Sequence, residues 1–245
     1  MKLCVLGSGS TGNALLLETE DGALLVDCGL LWRDLKVRAE RAGFSLRAIR
    51  AVYLSHEHAD HVRGLDALAR RGAKIIASPG TLSALGIKGI PLEPGLEILG
   101  MRLFPIPLSH DAREPTGLRL ELDGIRIGIV TDLGQVTPLV LEKLRGCEIL
   151  IFEANHDLEM LLSGPYPWPL KLRILGPLGH LANEEAGQAL RSLRDWAKTV
   201  FLAHLSQENN TPALALETVA RSMDDWQGHL FLTYPDRPSA VVCGG

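Results

Sequence analysis

Three histidines and an aspartate that could bind metal lie within six positions, shortly after the apolar run at residues 51–54. They are His56, His58, Asp60 and His61. Imidazole nitrogens and carboxylate oxygens bind divalent first-row metals, and a cation compensates for crowding so many polar groups. His56 and His58 are two positions apart, so at an extended strand end they point the same way and can bind one ion. Asp60 and His61 lie where the chain turns into a helix, and they suit a second ion.

The sequence must supply further ligands, because each ion usually takes at least three protein ligands. His110, Asp132 and His204 each follow a strand-like run. We expect His110 to complete the first ion and His204 the second, with Asp132 bridging two ions separated by ~3.5–4 Å. A single histidine at a strand end is more often structural, but the recurrence of this context favours ligands.

These ligands need strands that end near one another. Apolar runs predict strands at 2–6, 14–18, 23–27, 51–54, 74–77, 101–106, 116–122, 125–130, 147–152, 200–203 and 229–234. Amphipathic segments predict helices at 30–43, 62–71, from 79 onward, and at 139–145, 183–196 and 212–223, with irregular structure and short helices over 156–178. This order predicts two sheets packed face to face with helices outside.

The glycine-rich segment at residues 7–12 matches the Gly-x-Gly-x-x-Gly pattern of dinucleotide-binding proteins, and Asp27 follows at a suitable distance. The helix that should open at the third glycine is missing, because residues 14–18 have no helical amphipathicity and a tight turn follows them. We therefore predict an antiparallel hairpin, no NAD binding, and a glycine-rich loop at the rim of the site.

Composition sets outer limits on the function. The 245 residues carry a formal net charge of −4, which argues against holding nucleic acid by bulk electrostatics. No apolar run approaches the ~20 residues of a membrane span, and we predict a cytoplasmic protein with one domain over 1–245. Four scattered cysteines, Cys4, Cys28, Cys147 and Cys243, predict buried free thiols that bind no metal.

The order of the predicted ligands resembles the metallo-β-lactamase fold over essentially the whole chain, and several short phrases resemble its WalJ (YycJ) branch. These phrases are Gly7-Ser8-Gly9-Ser10-Thr11-Gly12-Asn13, Ser109-His110-Asp111-Ala112, Thr131-Asp132-Leu133-Gly134, Glu153-Ala154-Asn155-His156-Asp157, Gly179-His180-Leu181 and His204-Leu205-Ser206-Gln207-Glu208-Asn209-Asn210. The resemblance implies an α/β protein, a four-layer αββα sandwich. It further implies a metal-dependent 5′-to-3′ exonuclease on double-stranded DNA. The predicted ligands suit two ions of zinc, manganese or iron, which would hold the attacking hydroxide between them.

The resemblance also assigns catalytic residues. Gly179-His180 is similar to a Gly-His motif that tRNA 3′-processing relatives place against the scissile phosphate, which makes His180 a candidate general acid. Glu153 would orient that imidazole. Asp60 and Asp132 would hold the metals and steer the nucleophile. A capping or packing hydrogen bond remains the structural alternative for His180.

Residues His156, Ser206 and Asn209 are predicted to contact substrate, and His156 has the same structural alternative. The arginine-bearing segments at 63–74 and 171–173 are candidates for phosphate contacts, although such charge runs are more often solvated faces. These features favour nucleic acid as the substrate and leave the oligomeric state open, and the family resemblance implies DNA in preference to RNA.

Two other functions remain open at this point. The same dinuclear site can hydrolyse a small ester, thioester or lactam, because metal-activated water also attacks carbonyls. The chain can also be a non-catalytic metal-sensing or scaffold module, which a complete ligand set disfavours.

Overall fold

The structure, a computed structural model, describes residues 1–244. Its strands are β1 Lys2–Gly7, β2 Ala14–Thr19, β3 Gly22–Val26, β4 Ile49–Leu54, β5 Lys74–Ala77, β6 Ile90–Pro91, β7 Leu96–Ile98, β8 Met101–Pro107, β9 Thr116–Leu122, β10 Ile125–Val130, β11 Ile149–Glu153, β12 Thr199–Ala203, β13 His229–Leu232 and β14 Val242–Cys243. Its α-helices are α1 Trp32–Arg41, α2 Ala59–Val62, α3 Leu65–Ala69, α4 Pro79–Leu85, α5 Pro138–Leu144, α6 Leu158–Ser163, α7 Trp168–Leu175, α8 Asn183–Leu193 and α9 Pro212–Met223. A 3₁₀ helix, Leu46–Ala48, precedes β4.

The chain forms two compact units. The first contains Met1–Pro105, Ala112–Thr116 and the C-terminal segment from Thr233, and the second contains Ile106–Asp111 and Gly117–Leu232. The single domain over 1–245 stays a prediction.

In the first unit the sheet has the strand order β14-β1-β2-β3-β4-β5-β6. Strands β1, β2 and β3 are antiparallel neighbours, whereas β3, β4 and β5 run parallel. The β2–β3 hairpin turns at Glu20 and Asp21, and Gly22, the first residue of β3, has a positive φ of +132° that glycine adopts readily. The predicted hairpin is therefore confirmed, and no helix follows the glycine-rich segment as dinucleotide binding needs.

Strand β4 leads into the first group of predicted ligands. Its last four residues are all buried, as expected for a parallel strand covered on both faces. Helix α1 contributes Leu35 and Ala39 to the core around β4. The segment that follows Leu54 is therefore anchored at the buried end of β4.

The second unit is built on the strand order β13-β12-β11-β10-β9. Strands β10 to β13 run parallel, so their carboxyl ends share one edge of the sheet. Asp132 follows β10, Glu153 ends β11 and His204 follows β12. The unit therefore places these three side chains along a single edge.

Two sequence predictions need correction. The helix predicted over 62–71 is two short helices, α2 and α3, broken at Gly64. The N–H of Gly64 donates to the carbonyl of Cys28 at 2.6 Å, and a Cβ there would lie 2.4 Å from the carbonyl oxygen of Leu30. Cys243 is exposed, because it lies on the short edge strand β14, whereas the other three cysteines are buried.

The predicted fold class is confirmed: the described strands form two sheets, accompanied by helices, in a mixed α/β protein. Among residues 1–244, none of the helices has both the length and the apolar character needed to cross a bilayer.

Candidate metal centre

The first unit brings three histidine rings together at the end of β4. The ring centroids of His56 and His58 are 4.6 Å apart, and those of His56 and His61 are 4.0 Å apart. His58 is the N-cap of α2, so the helix begins at Ala59 and places Asp60 and His61 in its first turn. One strand end and one helix start therefore position the four residues predicted from the sequence.

The orientation of the His61 ring is set by a carboxylate. Its Nδ1 lies 2.8 Å from Oδ2 of Asp27, which must accept the Nδ1 proton. The Oγ of Ser55 donates to the same carboxylate at 3.0 Å. The Nε2 of His61 faces Asn13 Nδ2 at 3.0 Å and Asp60 Oδ2 at 3.6 Å. A carboxylate that accepts from one ring nitrogen fixes the orientation of the imidazole and leaves the other nitrogen to face a metal.

Sequence reasoning missed Asp27, Ser55 and Asn13 as partners of this cluster. The available signal for Asp27 was its position directly after a buried strand, the same context that identified Asp132. Asp27 also has a positive φ of +56°. Such a conformation is costly for a residue other than glycine and is common at functional sites.

The second unit brings Asp132, His180 and His204 together. The Oδ1 of Asp132 lies 3.4 Å from Nε2 of His204 and 4.0 Å from Nδ1 of His180. One ligand atom from each residue lies within 4.8 Å of the other two. Asp132 and His204 also have positive φ angles, +60° and +56°. The strand ends therefore deliver a carboxylate and two imidazoles to one place.

Glu153 holds the imidazole of His180. Its Oε1 accepts from Nδ1 of His180 at 2.7 Å, and its Oε2 accepts from the backbone N–H of Leu133 at 2.7 Å. Burial by itself raises the pKa of Glu153, but the charge and hydrogen bond of His180 outweigh it and lower the pKa below its ordinary value. The Glu153 side chain is fully buried whereas that of His180 is 21% exposed, so His180 forms the accessible end of the pair.

His110 is buried, and its Nδ1 donates to the carbonyl of Gly179 at 3.2 Å. Its Nε2 lies 3.3 Å from Oδ1 of Asp111. Burial lowers the pKa of His110, which favours the neutral imidazole that a metal requires. Because Gly179 precedes His180, the same loop positions His110 and His180.

His156 and a network of asparagines lie behind this edge. His156 is only 1% exposed, and burial lowers its pKa to about 4. Asn155 donates from Nδ2 to the carbonyl of His204 at 2.7 Å, and Asn183 and Asn210 are paired through their side-chain amides. These bonds tie the loops after β11 and β12 to the start of α8.

Ser206 and Asn209, the other predicted substrate contacts, lie in the loop that follows β12. The Oγ of Ser206 accepts from the backbone N–H of Asn209 at 3.1 Å, and Asn209 is buried. Their contact with substrate stays a prediction, as does that of His156.

The donor chemistry of both clusters fits divalent cations. Each combines imidazole nitrogens with a carboxylate, which is the ligand set of zinc, manganese and iron sites. In each cluster a buried carboxylate, Asp27 or Glu153, holds one of the imidazoles by its Nδ1. Bound divalent cations would offset the crowding of these polar groups in a buried place.

Comparisons with known proteins agree with this geometry. The family model described as "Beta-lactamase superfamily domain" matches residues 23–205. The chain is 34% identical to exodeoxyribonuclease YycJ of Bacillus anthracis over 233 residues, covering 90% of this chain and 88% of that protein. It is also 34% identical to exodeoxyribonuclease WalJ of Streptococcus pneumoniae serotype 2, covering 91% and 88%. The crystal structure of the metallo-beta-lactamase fold protein YhfI from Bacillus subtilis superposes with a TM-score of 0.77 at 18% identity, covering 99% of both chains.

Proposed function

The chain belongs to the β-lactamase superfamily, and from this premise we propose that it is a metal-dependent exodeoxyribonuclease. The observation that carries the proposal is the Glu153–His180 pair beside Asp132 and His204. Similarity to proteins named exodeoxyribonucleases over about nine tenths of the chain supports DNA as the substrate. We further propose double-stranded DNA, 5′-to-3′ direction and a cytoplasmic location, as the sequence predicted.

The metal ligands are proposed as two sets that together hold two ions. His56, His58 and His110 would hold one ion, Asp60, His61 and His204 would hold the other, and Asp132 would contribute to both. The support is the order of ligands along the sequence, the donor chemistry of each cluster, and membership of the family. Zinc, manganese and iron all suit these donors.

Divalent cations held by these residues would supply an activated water and would neutralise the charge that develops on phosphate oxygens. Asp60 and Asp132 would hold the cations and would also restrict the direction from which a nucleophile approaches. Their carboxylates would therefore serve both binding and orientation.

His180 supplies the proton for the leaving group. Glu153 accepts the Nδ1 proton of His180, so a second proton held at Nε2 can be donated to the departing 3′-oxygen. When protonated, the imidazole also places positive charge where the transition state gains negative charge. Hydrolysis of an activated lactam or thioester has less need of such a donor, so the pair favours phosphodiesters over the alternative substrates.

Substrate contacts are proposed for His156, Ser206 and Asn209. Ser206 and Asn209 follow the proposed ligand His204 by two and five residues. His156 follows Glu153 by three residues and is held against Ala182, two residues after His180. Their nearness to the proposed catalytic residues supports the proposal for all three, although His156 and Asn209 are buried and only Ser206 is partly exposed in the structure.

The test is a panel of substrates given to metal-loaded protein. It includes duplex DNA labelled at the 5′ or 3′ end, single-stranded DNA, RNA, a lactam and a thioester. We expect release of short products from the 5′ end of duplex DNA and no turnover of the lactam or thioester. Turnover of a carbonyl substrate without cleavage of any nucleic acid would overturn the proposal and favour the small-substrate hydrolase. Metal binding without any turnover would favour the sensing module.

A further inference from the structure

The glycine-rich segment between β1 and β2 forms a tight turn with an exposed tip. The N–H of Gly12 donates to the carbonyl of Gly9 at 2.9 Å, so Ser10 and Thr11 are the central residues of a β-turn. Both are exposed, whereas Gly9 and Gly12 are buried. Within the described chain, the backbone N–H groups of Ser10 and Thr11 form no hydrogen bond with protein atoms. The tip therefore presents two N–H and two O–H donors to solvent.

This turn is held rigidly by its flanks. Gly12 has a φ of +150°, and a Cβ there would lie 2.7 Å from the carbonyl oxygen of Gly29. The side chain of Asn13 accepts from the N–H of Gly9 at 2.8 Å and donates to its carbonyl at 3.2 Å. The donors at the tip are therefore preorganised and lose little freedom when a ligand binds.

The turn is anchored to one of the proposed metal ligands. The backbone N–H of Asn13 donates to the carbonyl of Asp60 at 2.8 Å, and its Nδ2 lies 3.4 Å from Asp60 Oδ2. Thr11 precedes Asn13 by two residues, so their Cα atoms are at most about 7 Å apart. A DNA strand carries a phosphate for every ~3.4 Å of helix axis, so a strand cleaved at Asp60 has other phosphates within reach of the tip.

An arginine completes the donor set. Nη1 of Arg63 donates to the carbonyl of Thr11 at 2.8 Å, and this is the one hydrogen bond its guanidinium makes to residues 1–244. Arg63 is exposed and follows Asp60 by one helical turn. A guanidinium has five N–H donors in a planar fork, so several remain directed toward solvent beside the tip.

We propose that Ser10, Thr11 and Arg63 form a subsite for a backbone phosphate next to the one being cleaved. Backbone N–H groups, hydroxyls and a guanidinium converging on one place are the donors that bind phosphate. In a chain with a net charge of −4, such a local contact compensates for the lack of bulk attraction. The inference rests on the proposed nuclease function, and it names the substrate group that the glycine-rich turn recognises.

The test measures equilibrium binding of a fluorescent DNA duplex to Mn²⁺-loaded protein over a range of salt concentrations. All variants carry His180→Ala in addition, so that the duplex persists. Arg63→Ala should weaken binding about tenfold, since a hydrogen bond to a charged group is lost. It should also reduce the slope of log K against log salt by about 0.9, the value for one phosphate contact. The double change Ser10→Ala and Thr11→Val should weaken binding severalfold without changing the slope.

The matched control is Arg191→Ala, which removes the same charge from an exposed arginine in the last turn of α8, outside both arginine-bearing segments. It should keep the parent's slope. Equal slopes for Arg63→Ala and Arg191→Ala, or parental affinity in the double variant, would overturn the subsite. Cleavage by the parent with His180 intact is measured separately, so a protein that cleaves DNA but fails this test refutes the subsite alone. A parent that neither binds nor cleaves DNA refutes both.

Discussion

A single buried carboxylate organises the second cluster. Glu153 uses one oxygen to fix the tautomer of His180 and the other to hold the backbone of Leu133, the residue after Asp132. Removing one end of a buried charged pair leaves an unpaired charge, which costs about 3–5 kcal/mol. Glu153 is therefore expected to influence both proton donation and the position of Asp132.

We predict that His180→Ala reduces kcat on duplex DNA by a factor of about 10²–10⁴, the usual contribution of a general acid. The loss should be much smaller with bis-(p-nitrophenyl) phosphate, because its leaving group needs no protonation. Metal content, measured by mass spectrometry, should remain that of the parent.

Glu153→Gln is the companion variant. It preserves the shape of the side chain but removes the carboxylate that accepts from Nδ1 of His180, so it should show the same dependence on the leaving group. An equal loss on both substrates, or no loss on DNA, would show that His180 does not act as an acid.

His156 provides a prediction about stability and pH. Burial lowers its pKa to about 4, whereas an unfolded histidine has a pKa near ~6.5. The unfolded state therefore binds a proton more tightly, and stability should be lost as the pH falls from about 6.5 to about 4. The free energy of unfolding that is lost through this residue amounts to about 3 kcal/mol. His156→Gln should flatten this part of the curve in urea unfolding.

The matched control is His229→Gln, at an exposed histidine on β13, which should keep the parent's pH dependence. If His156→Gln and the parent lost the same free energy of unfolding between pH 7 and pH 4, a lowered pKa of His156 would be refuted.

The loop after β10 and the loop after α7 approach each other closely, with backbone against backbone. A Cβ at Gly134 would lie 2.5 Å from the N of Gly179 and from the carbonyl oxygen of Pro177, and neither backbone atom can rotate away. These loops carry Asp132 and His180. The two loops can therefore lie this close together only because Gly134 has no side chain.

We predict that Gly134→Ala destabilises the protein by about 1–3 kcal/mol, the usual cost of overpacking, and lowers kcat by displacing Asp132 or His180. Thermal unfolding and steady-state kinetics measure the two effects. Gly72→Asn is the comparison, because Gly72 has a φ of +81°, which asparagine tolerates, and no atom lies within 4 Å of its Cβ position. It should retain both activity and stability, and an unimpaired Gly134→Ala would refute the close approach.

For the molecule as a whole, the metals should contribute to stability. A ligand that binds only the folded state stabilises it by about 2.7 kcal/mol at a hundredfold excess over its Kd. We predict that chelation lowers Tm and that Asp132→Ala lowers metal content, abolishes turnover and shrinks the Tm difference between loaded and chelated protein. Glu142→Ala, at an exposed carboxylate on α5, should behave as the parent does. An Asp132→Ala protein with parental metal content would exclude Asp132 as a ligand.

The strand ends were the most predictable part of this molecule. Buried strands are short apolar runs, so β4, β10 and β12 could be located from sequence and their polar successors identified. In each of the two units, the predicted ligands that belong to that unit lie close to one another. The confirmed hairpin of β2 and β3 followed from equally local signals, a turn between two apolar runs.

Long-range contacts explain what the sequence did not reveal. The partnership of Asp27 with His61 joins residues far apart in the chain, and neither neighbourhood encodes the other. The break between α2 and α3 has the same origin, because Gly64 is drawn to the carbonyl of Cys28 although the apolar pattern continues through it. Hydrophobic periodicity predicts which face of a helix or strand is buried, but it does not predict the element against which that face packs.

The left-handed backbone at Asp27, Asp132 and His204 has a consequence for engineering this protein. Each such residue stores about 1–3 kcal/mol of conformational energy that glycine would largely release. In metal-free protein, a laboratory screen that rewards heat resistance alone would therefore enrich glycine at Asp132 and His204, whereas at Asp27 the loss of its bonds to His61 and Ser55 outweighs the gain. The surviving clones would be sturdier and chemically inert, so any such screen must select for turnover at the same time.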